Sequence, residues 1–439
     1  MHSLFGTSGL RFTFPGGIDL ATLSGLAGAI HKTFPETTDV AIGWDTRTTS
    51  MPLAQLFSSF LLAEGFNVHQ LGVVPLPALA FASSLDEHPL GVMVTASHNP
   101  PNYNGIKIFK EGWELTRAEE AAITNNMDSD SQSSSPGKLY HKNILNRYMN
   151  NIVPNPEEHT RLRFLVDAGN GTASHVTAPL IEEIGGLAIC LNCEPSGYFP
   201  GRLPEPNPTN LADTLELAKV LGVDLGLAHD CDADRLAVFD GNGAFLSQTR
   251  ILSLFFKKKL LAGKGKIMVT SVDVGMAMDD VARTYGGKVI RTRLGETHEL
   301  AMRTEEIALF GEPWKIMDPE WGPWADGIRS AVQLSRWVME EGSLSKLLED
   351  IPDYPSIRLD FKLKNWNFER LVSELKKTFP DCSLETYDGA KCVMDGSWVL
   401  VRRSGTEEKV RLYAEALKPD VLDEIRLKTT RVLSYLSII

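Results

Sequence analysis

The chain has 439 residues, of which 43% are hydrophobic and 23% charged, so it is long enough for two to four globular domains. Its formal net charge of −12, without a long Lys/Arg block, argues against nucleic acid or an anionic membrane as a partner. A small phosphorylated ligand remains compatible with this charge, because a local cluster of Arg and Lys can hold one. The N-terminus has no basic or apolar targeting region, and no apolar stretch approaches the roughly 20 residues that cross a bilayer. We therefore expect a cytoplasmic protein.

Short apolar runs alternate with amphipathic stretches of helical length up to Pro352. The predicted strands are 40–44, 92–96, 164–167, 225–229, 266–270 and 289–291, and the predicted helices are 52–64, 176–183 and 272–285. This alternation predicts an α/β fold with parallel or mixed sheets. After Pro352 the pattern changes to strands at 356–364, around 393, at 399–402 and at 410–415, with helices at 368–378 and 421–436. That segment predicts a small α+β unit.

The five cysteines are too few for a disulfide framework in a chain of this length. Cys190 and Cys193 form one CxxC pair at the end of a predicted strand. A redox or zinc role needs a second pair of similar spacing or a nearby His, and neither is visible. We expect two inert thiols.

The first motif whose residues could carry a reaction is TASHNPP, residues 95–101, at the end of the predicted strand 92–96. The X-Pro step forces a turn, which we expect to expose the Ser97 hydroxyl at the carboxyl end of a strand. Open α/β sheets place their ligands at that edge. His98 and Lys107 are nearby candidates for moving protons or binding phosphate. A serine before a turn is usually only a turn residue, so this motif is weak evidence by itself.

The second motif is HDCDADR, residues 229–235, between two apolar runs. Asp230, Asp232 and Asp234 alternate along a short loop and offer three hard oxygen donors, which suit Mg²⁺. A calcium EF-hand loop would need a Gly in its middle and a later Glu, and both are absent here. The alternative is a solvated acidic turn without a cation.

Two further segments combine glycine, hydroxyl groups and arginine. The segment RRSGTE, residues 402–407, with Arg411 downstream, offers guanidinium groups, hydroxyls and a close-approaching backbone for binding phosphate. A plain turn before a strand is the alternative. The segment FGTSGLR, residues 5–11, ends at Arg11 and says little alone.

In this order and at these separations, the four segments resemble the α-D-phosphohexomutase superfamily over essentially the whole chain. The most specific parts of the resemblance are TASHNPPNYNGIK and RRSGTEEKVRLYAEA. The resemblance implies three topologically similar mixed-sheet α/β domains and a smaller C-terminal α+β domain around a central cleft. We place these domains at 1–150, 151–248, 249–352 and 353–439.

The resemblance also implies a role for each motif. Ser97 would be phosphorylated in the resting enzyme, and one Mg²⁺ would bind its phosphate together with Asp230, Asp232 and Asp234. Arg235 would lie beside the transferring phosphoryl group, Lys107 would assist proton transfer, and Arg11 and His98 would line the phosphoserine site. The non-transferring phosphate would be held by Arg402, Ser404, Gly405, Thr406 and Arg411.

The chain departs from the family pattern in the metal loop and in the two sugar-recognition segments. Cys231 stands where Gly is usual in the metal loop. Bacterial members usually read Gly-Glu-x-Ser-Gly-His where this chain has Gly-Glu-Pro-Trp-Lys-Ile at 311–316, so the proton-transfer role proposed for that His has no evident owner at Ile316. Glu312 is retained, and archaeal-type members with Gly-Glu-Pro match this segment better. In the other segment Gly295 is retained and Glu296 replaces an Asp; with Glu312 they are the expected sugar-binding residues.

The implied activity is that of an isomerase, a phosphosugar mutase acting on a sugar phosphate. Phospho-Ser97 gives its phosphoryl group to the sugar monophosphate, and a hexose 1,6-bisphosphate intermediate returns the other phosphate to Ser97. Because the archaeal-type members favour it, phosphoglucosamine is our first expectation for the substrate. The alternatives are phosphomannomutase/phosphoglucomutase activity, phosphopentomutase activity, and a non-catalytic sugar-phosphate binder.

Overall fold

The computed structural model describes residues 5–6, 9–85, 87, 89–127, 135–155, 160–404 and 408–439. The chain divides into two units, one formed by Met1–Leu246 with Trp314–Glu349 and the other by Ser247–Pro313 with Asp350–Ile439. Among the described residues, none of the helices combines the length and apolar character that a membrane crossing needs.

The first sheet of the first unit is mixed and is built from residues 10–152. Its elements are β1 (Leu10–Thr13), α1 (Leu20–Thr33), β2 (Asp39–Trp44), α2 (Ser50–Ala63), β3 (Asn67–Val73), α3 (Leu76–Ser83), β4 (Leu90–Val94), β5 (Tyr103–Lys110), β6 (Trp113–Glu114), α4 (Arg117–Asn126), β7 (Leu139–His141) and α5 (Leu145–Ile152). The strand order is β1-β5-β4-β2-β3-β7, with β6 paired to β5. Strands β2, β3 and β4 are parallel, whereas β5 runs antiparallel to both β4 and β1. Strands β2 and β4 are buried along almost their whole length, as the continuous apolar runs in their sequences predict.

The second sheet of this unit carries the acidic motif. It contains β8 (Arg163–Asp167), a 3₁₀ turn (Thr172–His175), α6 (Thr177–Glu183), β9 (Leu187–Leu191), α7 (Ala212–Leu221), β10 (Leu225–Ala228) and β11 (Ala237–Asp240). The order is β11-β10-β8-β9, and β11 alone is antiparallel to its neighbour. The acidic motif therefore lies in the connection from β10 to β11, at the carboxyl end of a buried parallel strand.

The next part of the chain contributes to both units. In the second unit, β12 (Ile267–Ser271) pairs in parallel with both β13 (Lys288–Thr292) and β14 (Ile307–Glu312), and α8 (Gln248–Leu261), α9 (Ala277–Tyr285) and α10 (Thr297–Ala301) connect or flank them. The first unit then receives β15 (Lys315–Met317), α11 (Gly327–Glu341) and α12 (Leu344–Leu347). Asp326 caps the start of α11, because its carboxylate accepts a hydrogen bond from the Arg329 backbone N–H.

The C-terminal part of the second unit is an antiparallel sheet covered by two helices. Its elements are β16 (Ser356–Lys362), α13 (Phe368–Thr378), β17 (Ser383–Glu385), β18 (Ala390–Met394), β19 (Ser397–Arg403), β20 (Lys409–Ala416) and α14 (Pro419–Tyr435). The strand order is β16-β20-β19-β18-β17. Alternating residues of the strands and the apolar faces of α13 and α14 form one core. The predicted α/β fold with a smaller C-terminal α+β unit is confirmed.

Candidate active site

The serine loop joins β4 to β5, and it is held by one buried arginine. Ser97 has a left-handed backbone, with φ of 50°, and its N–H donates to Thr95 Oγ1 at 2.8 Å. The Arg47 guanidinium donates to the carbonyl oxygens of Ser97, Asn99, Pro100 and Tyr103, at 2.7, 2.6, 2.6 and 3.2 Å. The expectation of an exposed hydroxyl is wrong, because Ser97 is only 3% exposed. The arginine draws the turn inwards, and the hydroxyl faces other side chains.

The hydroxyl of Ser97 contacts the acidic loop, residues 229–235, which joins β10 to β11. Its Oγ donates to Asp230 Oδ2 at 2.7 Å, across 133 residues of sequence. Asp230, Asp232 and Asp234 are fully buried, and each presents a carboxylate oxygen within 4.8 Å of the others. Ala233, between the second and third aspartates, has a left-handed backbone with φ of 60°. This turn directs the alternate carboxylates into one cluster beside the serine.

The three carboxylates fit a divalent cation. Within the part of the chain that the structure describes, Asp232 Oδ1 and Asp234 Oδ1 are buried without a hydrogen-bond partner, which is costly for a carboxylate unless a cation binds there. Burial, reinforced by the charges of Asp232 and Asp234, raises the pKa of Asp230 well above its usual value. A bound divalent ion offsets these effects, and carboxylate oxygens are the ligands that Mg²⁺ prefers.

Cys231 does not interrupt this cluster. Its Sγ contacts Asp45 Oδ2 at 3.3 Å and Thr46 Oγ1 at 3.7 Å. Asp45 Oδ2 also accepts from Thr95 Oγ1 at 2.7 Å and from Arg47 Nε at 3.0 Å. The thiol, whose pKa is raised by burial, therefore joins the acidic loop to the residues that hold the serine loop.

Three cations surround the acidic loop. Lys107 Nζ lies 3.0 Å from Asp234 Oδ2 and 3.3 Å from Asp232 Oδ2. Lys315 Nζ lies 3.0 Å from the same oxygen of Asp234. Arg235 Nε is 3.7 Å from Asp230 Oδ2. Although burial raises the pKa of Asp234, these three cations outweigh it and hold that pKa far below its usual value.

Arg11 contacts the serine loop, to which His98 itself belongs. Strand β1 pairs with β5, and Arg11 Nη1 donates to the carbonyl oxygens of Leu10 at 2.9 Å and Thr95 at 3.0 Å. A side chain on Gly105 would overlap the Leu10 carbonyl and the Arg11 guanidinium, so only glycine allows this approach. Burial, followed by the charges of Arg235 and Arg11, lowers the pKa of His98 well below its usual value. His98 is therefore neutral at pH 7.

In the second unit, two arginines of the predicted phosphate-binding segment lie directly opposite each other. Arg402 on β19 pairs with Arg411 on β20, and like charges at such positions repel unless an anion or an acid compensates them. Arg402 Nη2 donates to Asp388 Oδ1 at 3.2 Å, and its buried Nε has no hydrogen-bond partner among the described residues. Arg411 Nε lies 3.8 Å from Asp360 Oδ1. Ser404, two residues after Arg402, is buried, whereas Gly405 and Thr406 lie outside the described residues.

The predicted sugar-binding residues of the second unit come together only in part. Gly295, with φ of 85°, donates its N–H to Glu312 Oε1 at 2.5 Å, and Thr297 Oγ1 donates to the same oxygen at 3.3 Å. The Oε1 of Glu296 instead lies 4.0 Å from Arg293 Nη1. The Leu294 N–H donates to Asp388 Oδ2 at 3.0 Å. Asp388 thus links this segment to Arg402.

The residues of these sites that were not predicted include Asp45, Arg47, Lys315 and Asp388. The first two follow a predicted strand end, which is a signal for a ligand-facing loop, but Arg47 acts on backbone carbonyls and leaves no side-chain pattern. Lys315 was visible as a departure from the family pattern without a role. Ile316, at the position of the missing His, is 6% exposed, so its side chain belongs to the interior.

The sequence matches four family models in chain order. They are phosphoglucomutase/phosphomannomutase alpha/beta/alpha domain I at residues 2–134, domain II at 140–243, domain III at 249–354, and the C-terminal domain at 363–431. Together these four ranges cover most of the chain.

Curated relatives and solved structures match over nearly full length. A probable phosphoglucosamine mutase from Methanothermobacter thermautotrophicus is 36% identical, over 94% of this chain and 93% of the relative. A phosphopentomutase from Thermococcus kodakarensis is 34% identical, over 96% of each. The crystal structure of a phosphoglucomutase/phosphomannomutase family protein from Burkholderia thailandensis has the same fold, with a TM-score of 0.88 at 24% identity over 99% of this chain and 98% of that one.

Proposed function

The chain belongs to the phosphoglucomutase/phosphomannomutase family of the α-D-phosphohexomutase superfamily, and on that premise we propose that Ser97 carries the phosphoryl group in a phosphosugar mutase reaction. The family identifies the protein as an isomerase. The observation that carries the proposal for Ser97 is its hydrogen bond to Asp230, within a buried group of three aspartates flanked by three cations.

The proposed reaction is a transfer in both directions through Ser97. Phospho-Ser97 gives its phosphoryl group to a hydroxyl of the sugar monophosphate, which loses its proton as the Ser97 oxygen becomes free to gain one. The resulting hexose 1,6-bisphosphate turns over and returns its other phosphoryl group to Ser97. Arg235 and Lys107 stabilise the negative charge that spreads over the transferring oxygens, and Lys107 assists the proton transfer.

Asp230, Asp232 and Asp234, together with the phosphoryl group on Ser97, are the proposed ligands of one Mg²⁺. The ion neutralises charge on the phosphoryl oxygens when it is bound. Arg11 holds the Thr95 carbonyl, two residues before Ser97. His98 follows Ser97 in the same loop, and its imidazole offers ring nitrogens for a hydrogen bond at the phosphoserine site.

The second unit is proposed to hold the substrate. Arg402, Ser404 and Arg411, with Gly405 and Thr406 from the undescribed part of the loop, bind the phosphate that is not being transferred. The opposed arginines support this assignment, because an anion relieves their repulsion. Glu312, Gly295 and Glu296 are proposed to meet the sugar hydroxyls.

Glucosamine phosphate is our first choice of substrate, and the cytoplasm is the proposed location. The relatives named as probable phosphoglucosamine mutases, at 34–36% identity, support this choice. Phosphopentomutase activity is the second candidate because one relative of similar identity bears that name. Phosphomannomutase/phosphoglucomutase activity follows, and a non-catalytic sugar-phosphate binder is the remaining alternative.

Intact-protein mass spectrometry tests the phosphoserine. We expect a population about 80 Da heavier, the mass of one phosphoryl group, in the wild type and its complete loss in Ser97→Ala. Ser135→Ala is the matched control, since it removes a hydroxyl from an exposed position. A wild type that stays unmodified after incubation with hexose 1,6-bisphosphate contradicts the carrier role and favours the binder.

A coupled assay identifies the substrate. The purified protein is supplied with Mg²⁺ and, in turn, with the phosphates of glucosamine, N-acetylglucosamine, glucose, mannose and ribose. We expect the highest kcat/KM for glucosamine phosphate. A higher value for ribose phosphate assigns the chain to the phosphopentomutases instead.

A further inference from the structure

The proposed reaction gives no role to Lys315, although its ammonium group lies at the serine site. It is the first residue of β15, and its side chain is 13% exposed. Its Nζ lies 3.0 Å from Asp234 Oδ2 and 3.8 Å from Glu114 Oε1. This ammonium group therefore reaches the acidic loop from a strand that is remote in sequence.

Two ammonium groups share a single carboxylate oxygen at this point. Lys107 Nζ and Lys315 Nζ both lie 3.0 Å from Asp234 Oδ2. One ammonium suffices to pair a carboxylate, and the second adds repulsion between two cations in a buried place. Such an arrangement provides one cation that a newly arriving anion can attract.

The two lysines differ in how firmly the acidic loop holds them. Lys107 comes from the central strand β5 and also bonds Asp232 at 3.3 Å. Lys315 comes from a strand of three residues, and Glu114, a carboxylate outside the acidic loop, also lies near it, with Oε1 3.8 Å from Nζ. Because Lys107 bridges two aspartates of the loop, we take Lys315 to be the lysine that turns from Asp234 towards an arriving anion.

We propose that Lys315 is a further phosphoryl-binding residue, which pairs with Asp234 while the Ser97 hydroxyl is free and with the phosphoryl oxygens when Ser97 is phosphorylated. This inference rests on the proposed function, because it requires a phosphoserine. While Lys315 occupies Asp234, it competes with Mg²⁺ for that carboxylate. Phosphorylation of Ser97 removes the competitor and so raises the affinity for Mg²⁺, and bound Mg²⁺ in turn favours the phosphorylated form of Ser97 at equilibrium. By linkage, the two effects have the same magnitude.

The test compares Lys315→Met with the wild type in two states, unphosphorylated and phosphorylated, each verified by intact mass. Isothermal titration with Mg²⁺ measures the cation affinity of each state. We expect the unphosphorylated variant to bind Mg²⁺ roughly tenfold more tightly than the unphosphorylated wild type, the effect of losing one competing charge-assisted hydrogen bond. The gain in Mg²⁺ affinity that phosphorylation produces in the wild type should shrink, and the phosphoserine should hydrolyse faster.

The controls separate this role from a general effect of charge. Lys110→Met removes the same charge from a 41% exposed position beside Glu119 and should match the wild type. Lys315→Arg keeps the charge and should restore most of the coupling, and Lys315→Gln provides a polar alternative if the methionine variant does not fold. If a folded Lys315 variant keeps the Mg²⁺ affinity and the phosphoserine lifetime of the wild type, the role of Lys315 is overturned and the proposed function still stands. A wild type that never carries a phosphoserine overturns this inference together with the proposed function.

Discussion

The serine site of the first unit and the arginine pair of the second unit both gather charge at strand ends, but they compensate it differently. Around Ser97, the carboxylates of the acidic loop contact Lys107, Lys315 and Arg235, and every aspartate of the loop is fully buried. On β19 and β20, two cations face each other; Asp388 lies 3.2 Å from Arg402, and Asp360 lies 3.8 Å from Arg411.

The difference separates two kinds of work. A site whose charges already face one another in fixed geometry stabilises charge that moves during a reaction, because it needs little reorganisation. A site in which two cations face each other binds an anion between them, and it does so equally well in the ground state and the transition state. Changes at the serine site should therefore lower kcat, and changes at the arginine pair should raise KM.

The largest effect is expected at the acidic loop. Asp232→Asn keeps the shape of the side chain but removes one charge from the proposed ligands of Mg²⁺, so kcat should fall about 10³-fold. Steady-state kinetics over a range of Mg²⁺ concentrations measure this effect. Asp213→Asn, which removes a charge from an exposed position on α7, should retain wild-type kinetics. Undiminished turnover in Asp232→Asn would falsify the metal assignment.

An intermediate effect is expected at the arginine pair. Arg402→Ala removes a charge-assisted contact with phosphate, worth about 1.5–3 kcal/mol, so KM should rise roughly 10- to 100-fold with little change in kcat. Arg403→Ala is the matched control, because the neighbouring arginine is exposed at the end of the same strand. A fall in kcat at unchanged KM would move Arg402 from binding to chemistry and remove the contrast between the two regions.

Residue types and spacing identified each motif, whereas only the family resemblance implied that the motifs meet. The alternating aspartates at 230–234 follow a strand directly, so their common loop is visible in the spacing. The contacts of Ser97 with Asp230 and of Lys315 with Asp234 join residues that are far apart, and the strand order of the two sheets determines them. The place of Arg11 was likewise expected only from the family resemblance, since the pairing of β1 with β5 brings it to the serine loop.

The burial of Ser97 shows a second limit of sequence reasoning. Local rules for X-Pro steps predict a turn correctly, and a turn is usually exposed. Here Arg47 donates to four carbonyl oxygens of that turn, and a contact with backbone atoms leaves no recognisable pattern in the sequence. The roles of Gly405 and Thr406 stay predictions, because they lie outside the described residues.

The smallest effect is expected at Asp388, which connects the arginine pair to the sugar-recognition segment. Its Oδ1 accepts from Arg402, and its Oδ2 accepts from the Leu294 N–H. In Asp388→Asn the carboxylate no longer competes with phosphate for Arg402, so orthophosphate should inhibit more strongly, by about threefold, the scale of one weakened hydrogen bond. The same substitution weakens the hold on Leu294, next to Gly295, so KM for the sugar phosphate should rise by a similar factor.

These opposite changes distinguish a connecting role from simple binding. Inhibition by orthophosphate reports on the arginine pair alone, whereas the KM for the sugar phosphate reports on the arginine pair and the sugar-recognition segment together. Asp360→Asn, beside Arg411 and half exposed, should leave the KM for sugar phosphate unchanged unless the two arginines act as one unit. If Asp388→Asn weakens orthophosphate and sugar phosphate alike, Asp388 supports the position of Arg402 and does not link the two segments. The contrast between the units would then lie in the arginine pair alone.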